Sequence, residues 1–325
     1  MDTSTPFSLP REMLETPGIL RNFDGGAAAG WAEAIGERLL LTGEGSSRLF
    51  PAGNMVEQAL RRGHKWRLHS EGARQAAEYD LGGFAVLAAS NSGRTREVIA
   101  LLERLKDHAQ PVYGITANGD SPLAGLVSDL VTLECGPENA VAATKSVMEM
   151  ALVFQSLLGG DEWSRQGEAG SAAENVLRQD IEHDVIKIAA AAPVIYFAGR
   201  NNGVAAELTL KANEIARKKS DYLEGTYALH GIEETMRAEE LVVLIEPFAD
   251  EIEKYQAVLK KGVGIQVIAI ANKPQPFPTI TVPSVAGFDN YLQLMAGWNL
   301  LVAIGLANGV NIDKPERVRK VGNAI

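Results

Sequence analysis

Cysteine is almost missing from this chain of 325 residues: Cys135 stands alone. A single thiol excludes an intramolecular disulfide and any cysteine-based metal cluster. The five histidines, His64, His69, His108, His183 and His230, fall at no metal-ligand spacing, so no metal is expected. No apolar run reaches the roughly 20 residues of a membrane span, and no signal-peptide apolar core opens the chain. A cytoplasmic protein with no membrane partner is the expectation. Basic residues are in deficit, 31 against 41 acidic, and the net charge of −10 argues against nucleic acid as a partner. A Walker A sequence is absent, which argues against nucleotide hydrolysis. Gly43-x-Gly45 invites a dinucleotide reading, but Arg48 stands where G-x-G-x-x-G needs its third glycine, and Glu71 is only a loose ribose partner.

The composition present, 46% hydrophobic and 22% charged, is that of a globular protein long enough for two cores. Residues 1–30 read as a polar, loop-like arm, with Met13-Leu14 and Ile19-Leu20 free to lie over a neighbour. From 31 to 160, strands at Leu39–Thr42, Trp66–His69, Phe84–Ala89, Val112–Thr116 and Asp129–Leu133 alternate with helices. Gly159–Ser171 is polar and glycine-rich and reads as a linker. A second series spans 172–310: a long helix Ala172–Ala190, strand Val194–Ala198, a helix running to Lys218, and strands at Leu241–Glu246 and Ile265–Ala271. An extended Thr279–Val282 and the apolar helix Asn290–Leu306 follow, and 311–325 remains as a tail. Such alternation predicts an α/β fold of parallel sheets covered on both faces. The halves read as a duplication offset by about 155 residues, Gly43 answering to Gly199 and Val86-Leu87 to Val242-Val243.

The most informative stretch follows the strand Phe84–Ala89. Ser90-Asn91-Ser92-Gly93-Arg94-Thr95 leads into a helix with Val98, Leu101, Leu102 and Leu105 on one face. Backbone N–H groups at such a helix start, with hydroxyls from Ser90, Ser92 and Thr95, compose an anion cradle; the same residues also serve as a plain N-cap. The second half has Glu246-Pro247-Phe248-Ala249-Asp250 there, and a carboxylate and a proline repel an anion and remove a donor. Three further groups stand out. Glu207, Lys211 and Glu214, at i, i+4 and i+7, share a helix face, either as a site or as a solvated ion pair. His230 lies on a glycine-flanked loop, Glu224 to Gly231, where a catalytic role competes with a structural one. Lys320 lies in the basic tail, which by default is a solvated end.

These residues carry a resemblance. The chain resembles the sugar isomerase (SIS) family, and within it the tandem arrangement of the isomerase domain of glucosamine-6-phosphate synthase and related sugar-phosphate deaminases and deglycases. The family phosphate loop S-x-S-G-x-T falls on Ser90, Ser92, Gly93 and Thr95, and its G-[ST]-S turn on Gly45, Ser46 and Ser47. V-A-[ST]-T-K becomes Val141-Ala142-Ala143-Thr144-Lys145, A-L-K-x-x-E becomes Thr209-Leu210-Lys211-Ala212-Asn213-Glu214, and H-G becomes His230-Gly231. The tail motif, D-x-P with a lysine five residues after the proline, falls on Asp313, Pro315 and Lys320. Ala143 departs from the pattern by lacking a hydroxyl, and Ile232 replaces the proline after H-G.

The resemblance implies two tandem SIS-type α-β-α sandwiches, flavodoxin-like and nucleotide-free, acting on an open-chain hexose 6-phosphate. The reaction implied is C1/C2 proton transfer through an enediol or enolamine, as in a phosphosugar isomerase or an amino-sugar-6-phosphate deaminase. A fructosamine-6-phosphate deglycase, an isomerase of a 6-sulfo sugar and a non-catalytic sugar-phosphate sensor are the alternatives. Glu214 would be the base, His230 the ring-opening group, and Lys320, with Lys211, the stabiliser of developing negative charge. Ser46, Ser47, Ser90, Asn91, Ser92 and Thr95 would hold the anion. No cofactor is implied, the partner being a small sugar phosphate, and a homodimer with shared active sites is expected. The glutaminase domain of the synthase is not expected.

Overall fold

The computed structural model describes residues 5–317. Among the described residues, ten strands form two parallel five-stranded sheets. The first contains β1 (Arg38–Gly43), β2 (Arg67–Gly72), β3 (Phe84–Ala89), β4 (Val112–Thr116) and β5 (Asp129–Thr132), in the order β2-β1-β3-β4-β5. The second contains β6 (Val194–Gly199), β7 (Lys219–Glu224), β8 (Leu241–Ile245), β9 (Gln266–Ala271) and β10 (Thr279–Thr281), in the order β10-β9-β8-β6-β7. Counted from its own first strand, the second sheet has the order of the first. In each, the first and third strands are neighbours.

The main helices are α1 (Ser8–Asn22), α2 (Leu49–Arg61), α3 (Arg96–Leu105), α4 (Lys145–Ser156), α5 (Gln166–Arg178), α6 (His183–Ala191), α7 (Val204–Lys211) and α8 (Asp289–Ala307). Strands buried on both faces must be apolar, and β3 and β8 are so throughout, β1 from Leu39 to Leu41. Leu39, Leu41, Leu87 and Ile115 pack with Ala52 and Met55 of α2 and Met150 and Val153 of α4. Leu40, Val86 and Ala88 meet Val98, Leu101 and Leu102 of α3 on the other face. A third core joins the halves, uniting Met148 and Ala151 of α4, Leu177 of α5 and Leu208 of α7 with most of α8. None of the described helices is long and apolar enough to cross a membrane.

Two glycines fix how the halves meet. A Cβ on Gly53 of α2 would lie 2.6 Å from the Gly203 backbone, and one on Gly203 would lie 2.6 Å from the Leu49 carbonyl. Gly203 also has φ +85°, a left-handed conformation that favours glycine. Any side chain at either position would push α7 off α2. Nearby, Asn54 Nδ2 donates to Gln155 Oε1 at 3.0 Å and to the Tyr291 hydroxyl at 3.2 Å, so these three buried polar groups of the seam are paired.

Four expectations need correction. Residues 1–30 are not a loop-like arm: Ser8–Asn22 is helical, and Leu9, Met13 and Leu20 are fully buried in this chain's own core rather than over a neighbour. Pro17 leaves the Met13 carbonyl without its usual helical donor, and the Thr16 hydroxyl donates to it at 2.6 Å instead. Gly159–Ser171 is not a linker, since α5 begins at Gln166. The helix Ala172–Ala190 is two helices, α5 and α6, with the α5 end held by Asn299 Nδ2 on the Val176 and Gln179 carbonyls. The helix expected to run to Lys218 stops earlier, and Lys219–Glu224 is an edge strand, too polar to show in a periodicity reading.

Candidate active site

Because β1 and β3 are neighbours with Gly43 level with Ala89, the turns that follow them lie side by side. Gly43 is required there, as a Cβ would sit 2.8 Å from the Ala89 carbonyl. Helix α2 leaves β1 on one face of the sheet and α3 leaves β3 on the other. The crevice between such turns is where open α/β sheets take their ligands.

The β3 turn is built as a cradle. The Gly93 N–H donates to the Ser90 carbonyl at 3.0 Å, and Gly93 has φ +63°. A Cβ there would strike Ser121 Oγ at 2.0 Å, so the backbone can come this close only as glycine. Thr95 occupies the N-cap of α3, yet its hydroxyl does not cap the helix; it pairs with Ser90 Oγ at 2.8 Å. A plain N-cap would spend that oxygen on its own amides. Ser92 Oγ accepts the Arg94 N–H at 3.2 Å, and Asn91 Oδ1 is buried with no hydrogen-bond partner among the described residues.

The β1 turn carries Ser46 and Ser47 in a single 3₁₀ turn, Gly45–Ser47. Here the second half enters. Lys211 Nζ, from the end of α7, donates to Ser46 Oγ at 2.8 Å and to Glu214 Oε2 at 2.9 Å, with Glu207 Oε1 at 3.4 Å. Lys211 and Glu207 are fully buried, so this is no solvated surface pair. Burial alone would pull the Lys211 pKa down, but the carboxylates of Glu214 and Glu207 outweigh it and the net shift is upward. The ammonium stays charged. Burial pushes the Glu207 carboxyl up, against the pull of Lys211. Glu214 keeps 17% of its side chain exposed and is the acid of this group that can meet a ligand.

The remaining site residues divide. His230 is exposed, and its Nε2 pairs with Thr226 Oγ1 at 3.1 Å in its own loop, so it does not join the Ser46–Lys211–Glu214 group. Lys320 lies outside the described residues. The base of its segment is anchored: Asp313 accepts the Ser8 and Leu9 N–H groups at 2.7 and 2.8 Å, and its carbonyl accepts the Val141 N–H. The sequence reading missed Glu138. Its carboxylate accepts the Thr144 and Lys145 N–H groups at 2.7 and 2.9 Å and the Ser146 hydroxyl at 2.6 Å, closing the N-terminus of α4. An acid six residues before a Thr-Lys-Ser helix start was the available signal. Among the described residues there is no group of acids, histidines or cysteines placed to hold a metal.

Comparison with known proteins agrees with this geometry. The SIS domain family matches residues 83–158, from β3 through α4. Glutamine–fructose-6-phosphate aminotransferase (isomerizing) of Aeropyrum pernix is 24% identical, over 95% of this chain and 53% of its own length. The chain spans about half the length of the curated relatives it matches. The C-terminal domain of glucosamine-fructose-6-phosphate aminotransferase from Francisella tularensis superposes with a TM-score of 0.80 at 18% identity, covering 97% of this chain and all of that domain. Glucosamine-6-phosphate deaminase from Thermotoga maritima gives 0.75 at 20% identity, covering 97% and 99%. Residues 83–158 thus match the SIS domain family, within a fold that the chain shares with the C-terminal domain of that aminotransferase.

Proposed function

We propose that the chain is a sugar-phosphate enzyme that moves a proton between C1 and C2 of an open-chain hexose 6-phosphate, as a phosphosugar isomerase or an amino-sugar-6-phosphate deaminase. One observation carries the reading: a buried ammonium, Lys211, bridges a serine of the turn beside the anion cradle to a partly exposed carboxylate, Glu214. The cradle of Ser90, Asn91, Ser92 and Thr95, with Ser46 and Ser47, holds the C6 anion and so fixes where the reacting carbons lie. Glu214 takes the proton. Lys211 stabilises the charge that develops on the enediolate or enolamine oxygen, in a place where burial strengthens the interaction. Lys320 is assigned to the same oxygen. His230 opens the sugar ring, and its exposure supports delivery into the site of a second copy, hence a homodimer. The common strand order of the two sheets supports two tandem SIS units, 31–160 and 172–310, of which only the first keeps an anion site.

The test is a panel of fructose, glucose, glucosamine and fructosamine 6-phosphates, followed for ketose formation and ammonia release together. Turnover of a sugar phosphate without ammonia marks an isomerase, and ammonia from glucosamine 6-phosphate marks a deaminase. On the substrate so found, Glu214→Gln should slow exchange of the C1 or C2 proton with deuterated solvent by about a hundredfold or more. Exchange at the wild-type rate in that variant would remove Glu214 from the role.

A further inference from the structure

Glu214 does not sit in an ordinary helical turn. Helix α7 ends at Lys211 and widens into a π-turn, Ala212–Ala216, an arrangement that re-aims side chains and is found mostly at functional sites. The next residue, Arg217, has φ +55°, a conformation that residues with a Cβ rarely adopt. Something must hold that strained end in place.

The Arg217 side chain itself does so. Its Nη1 donates to the carbonyl of Glu214 and, at 3.2 Å, to that of Ile215. Its Nη2 donates at 2.6 Å to the carbonyl of Asn311, in the segment that follows α8. That segment lies directly on the π-turn: a Cβ on Gly305 would meet Ile312 Cγ2 at 2.7 Å and the Ile215 carbonyl at 3.1 Å. Two residues on, Asp313 is tied to the start of α1. A cleft of about 530 Å³ opens beside the guanidinium, lined by Asn213, Val310, Asn311, Lys314 and Pro315. A planar fork bonded to three main-chain carbonyls fixes backbone geometry in a way a single ammonium does not.

We propose that Arg217 is a positioning residue. It holds the main chain of Glu214 in the π-turn and couples it to the 309–314 segment, so that the Glu214 carboxylate meets Lys211 in one geometry. The proposal rests on the role assigned above to Glu214. Arg217→Met and Arg217→Lys separate it from a merely structural contribution. In Arg217→Met, kcat should fall about tenfold or more while KM for the sugar phosphate stays within about twofold, because the cradle is on the other half. Arg217→Lys should recover only part of the loss. In Arg217→Ala, added guanidinium at concentrations below those that unfold the protein should restore part of kcat.

Amide hydrogen exchange of the free protein gives a reading that does not need turnover. In Arg217→Met, exchange across 212–218 and across 309–314 should rise together. Unchanged kcat in Arg217→Met, or a rise in only one of the two segments, would overturn the proposal. A wild-type protein inactive on every sugar phosphate tried would instead overturn the proposed function, while the exchange data still decide whether Arg217 couples the two segments.

Discussion

The third strands of the two sheets occupy the same place in the same strand order, yet their ends are built oppositely. After β3, Ser90 and Gly93 turn the chain into the ten-residue helix α3, and two hydroxyls face each other across the turn. After β8, Glu246 takes φ +41°, Pro247 removes a donor, and the Arg200 guanidinium lies 4.2 Å over the Phe248 ring. The Glu246 carboxylate accepts the Asn272 N–H at 2.9 Å and Gln293 Nε2 at 3.3 Å. The first turn offers donors to an anion. The second satisfies nearby donors with an anion of its own. Topology makes the crevice in both sheets, and side chains give the two crevices opposite character. What the second half adds instead comes from the helix after its first strand, α7, which delivers Lys211 to the first half's crevice.

The comparison can be broken most severely by giving the first turn the charge of the second. Ser92→Asp places a carboxylate in a half-buried position of the cradle and should weaken binding of a hexose 6-phosphate by about a hundredfold, read by calorimetry. Normal binding in that variant would put the anion site elsewhere. Ser92→Ala removes only a hydrogen bond to a charged group, typically about 1.5–3 kcal/mol, and should cost roughly tenfold or somewhat more. The same sugar without its phosphate should bind weakly to both proteins, and a desphospho sugar that binds well would mean that the cradle contributes little.

The smallest effect sharpens the other side. Burial pushes the Glu246 carboxyl pKa up, against the pull of the Asn272 N–H and Arg200. The native state then holds this proton to higher pH than the unfolded chain does. Stability is therefore greatest below the unfolded pKa, declines as pH rises through the window up to the native pKa, and is level above it. Glu246→Gln does not titrate, so at pH 7 it should melt ~1–2 °C above wild type, with the advantage vanishing below about pH 4. A melting difference independent of pH would show that the carboxylate carries no such cost.

Local pattern was enough where one segment bears the whole signal. Phe84–Ala89 reads as a buried strand and is one; Val112–Thr116 likewise, and Arg96 opens a helix whose apolar face is the one buried. The spacing of Glu207, Lys211 and Glu214 did place three ionisable groups on one face. Local pattern failed where packing overrides propensity. Ser8–Asn22 contains prolines and polar residues and reads as loop, but Leu9, Met13 and Leu20 each fill a place in the shared core, and Asp313, from the far end of the chain, caps its first amides. β7 is polar because it is an edge strand, and Leu223 is its one buried residue.

By itself the sequence determined the alternation of strands and helices, the hydroxyl-rich turn at Ser90–Thr95 and the replacement of that turn in the second half by Glu246-Pro247-Phe248. These depend on residues adjacent in the chain, whose backbone preferences and burial periodicity act locally. Only the tertiary structure decided that Lys211 meets Ser46 across 165 residues, that Glu207 is buried with them, and that His230 stands apart. The first two follow from how α7 docks on α2, which Gly53 and Gly203 permit by letting backbone touch backbone, and no periodicity within either helix records the depth or angle of that contact.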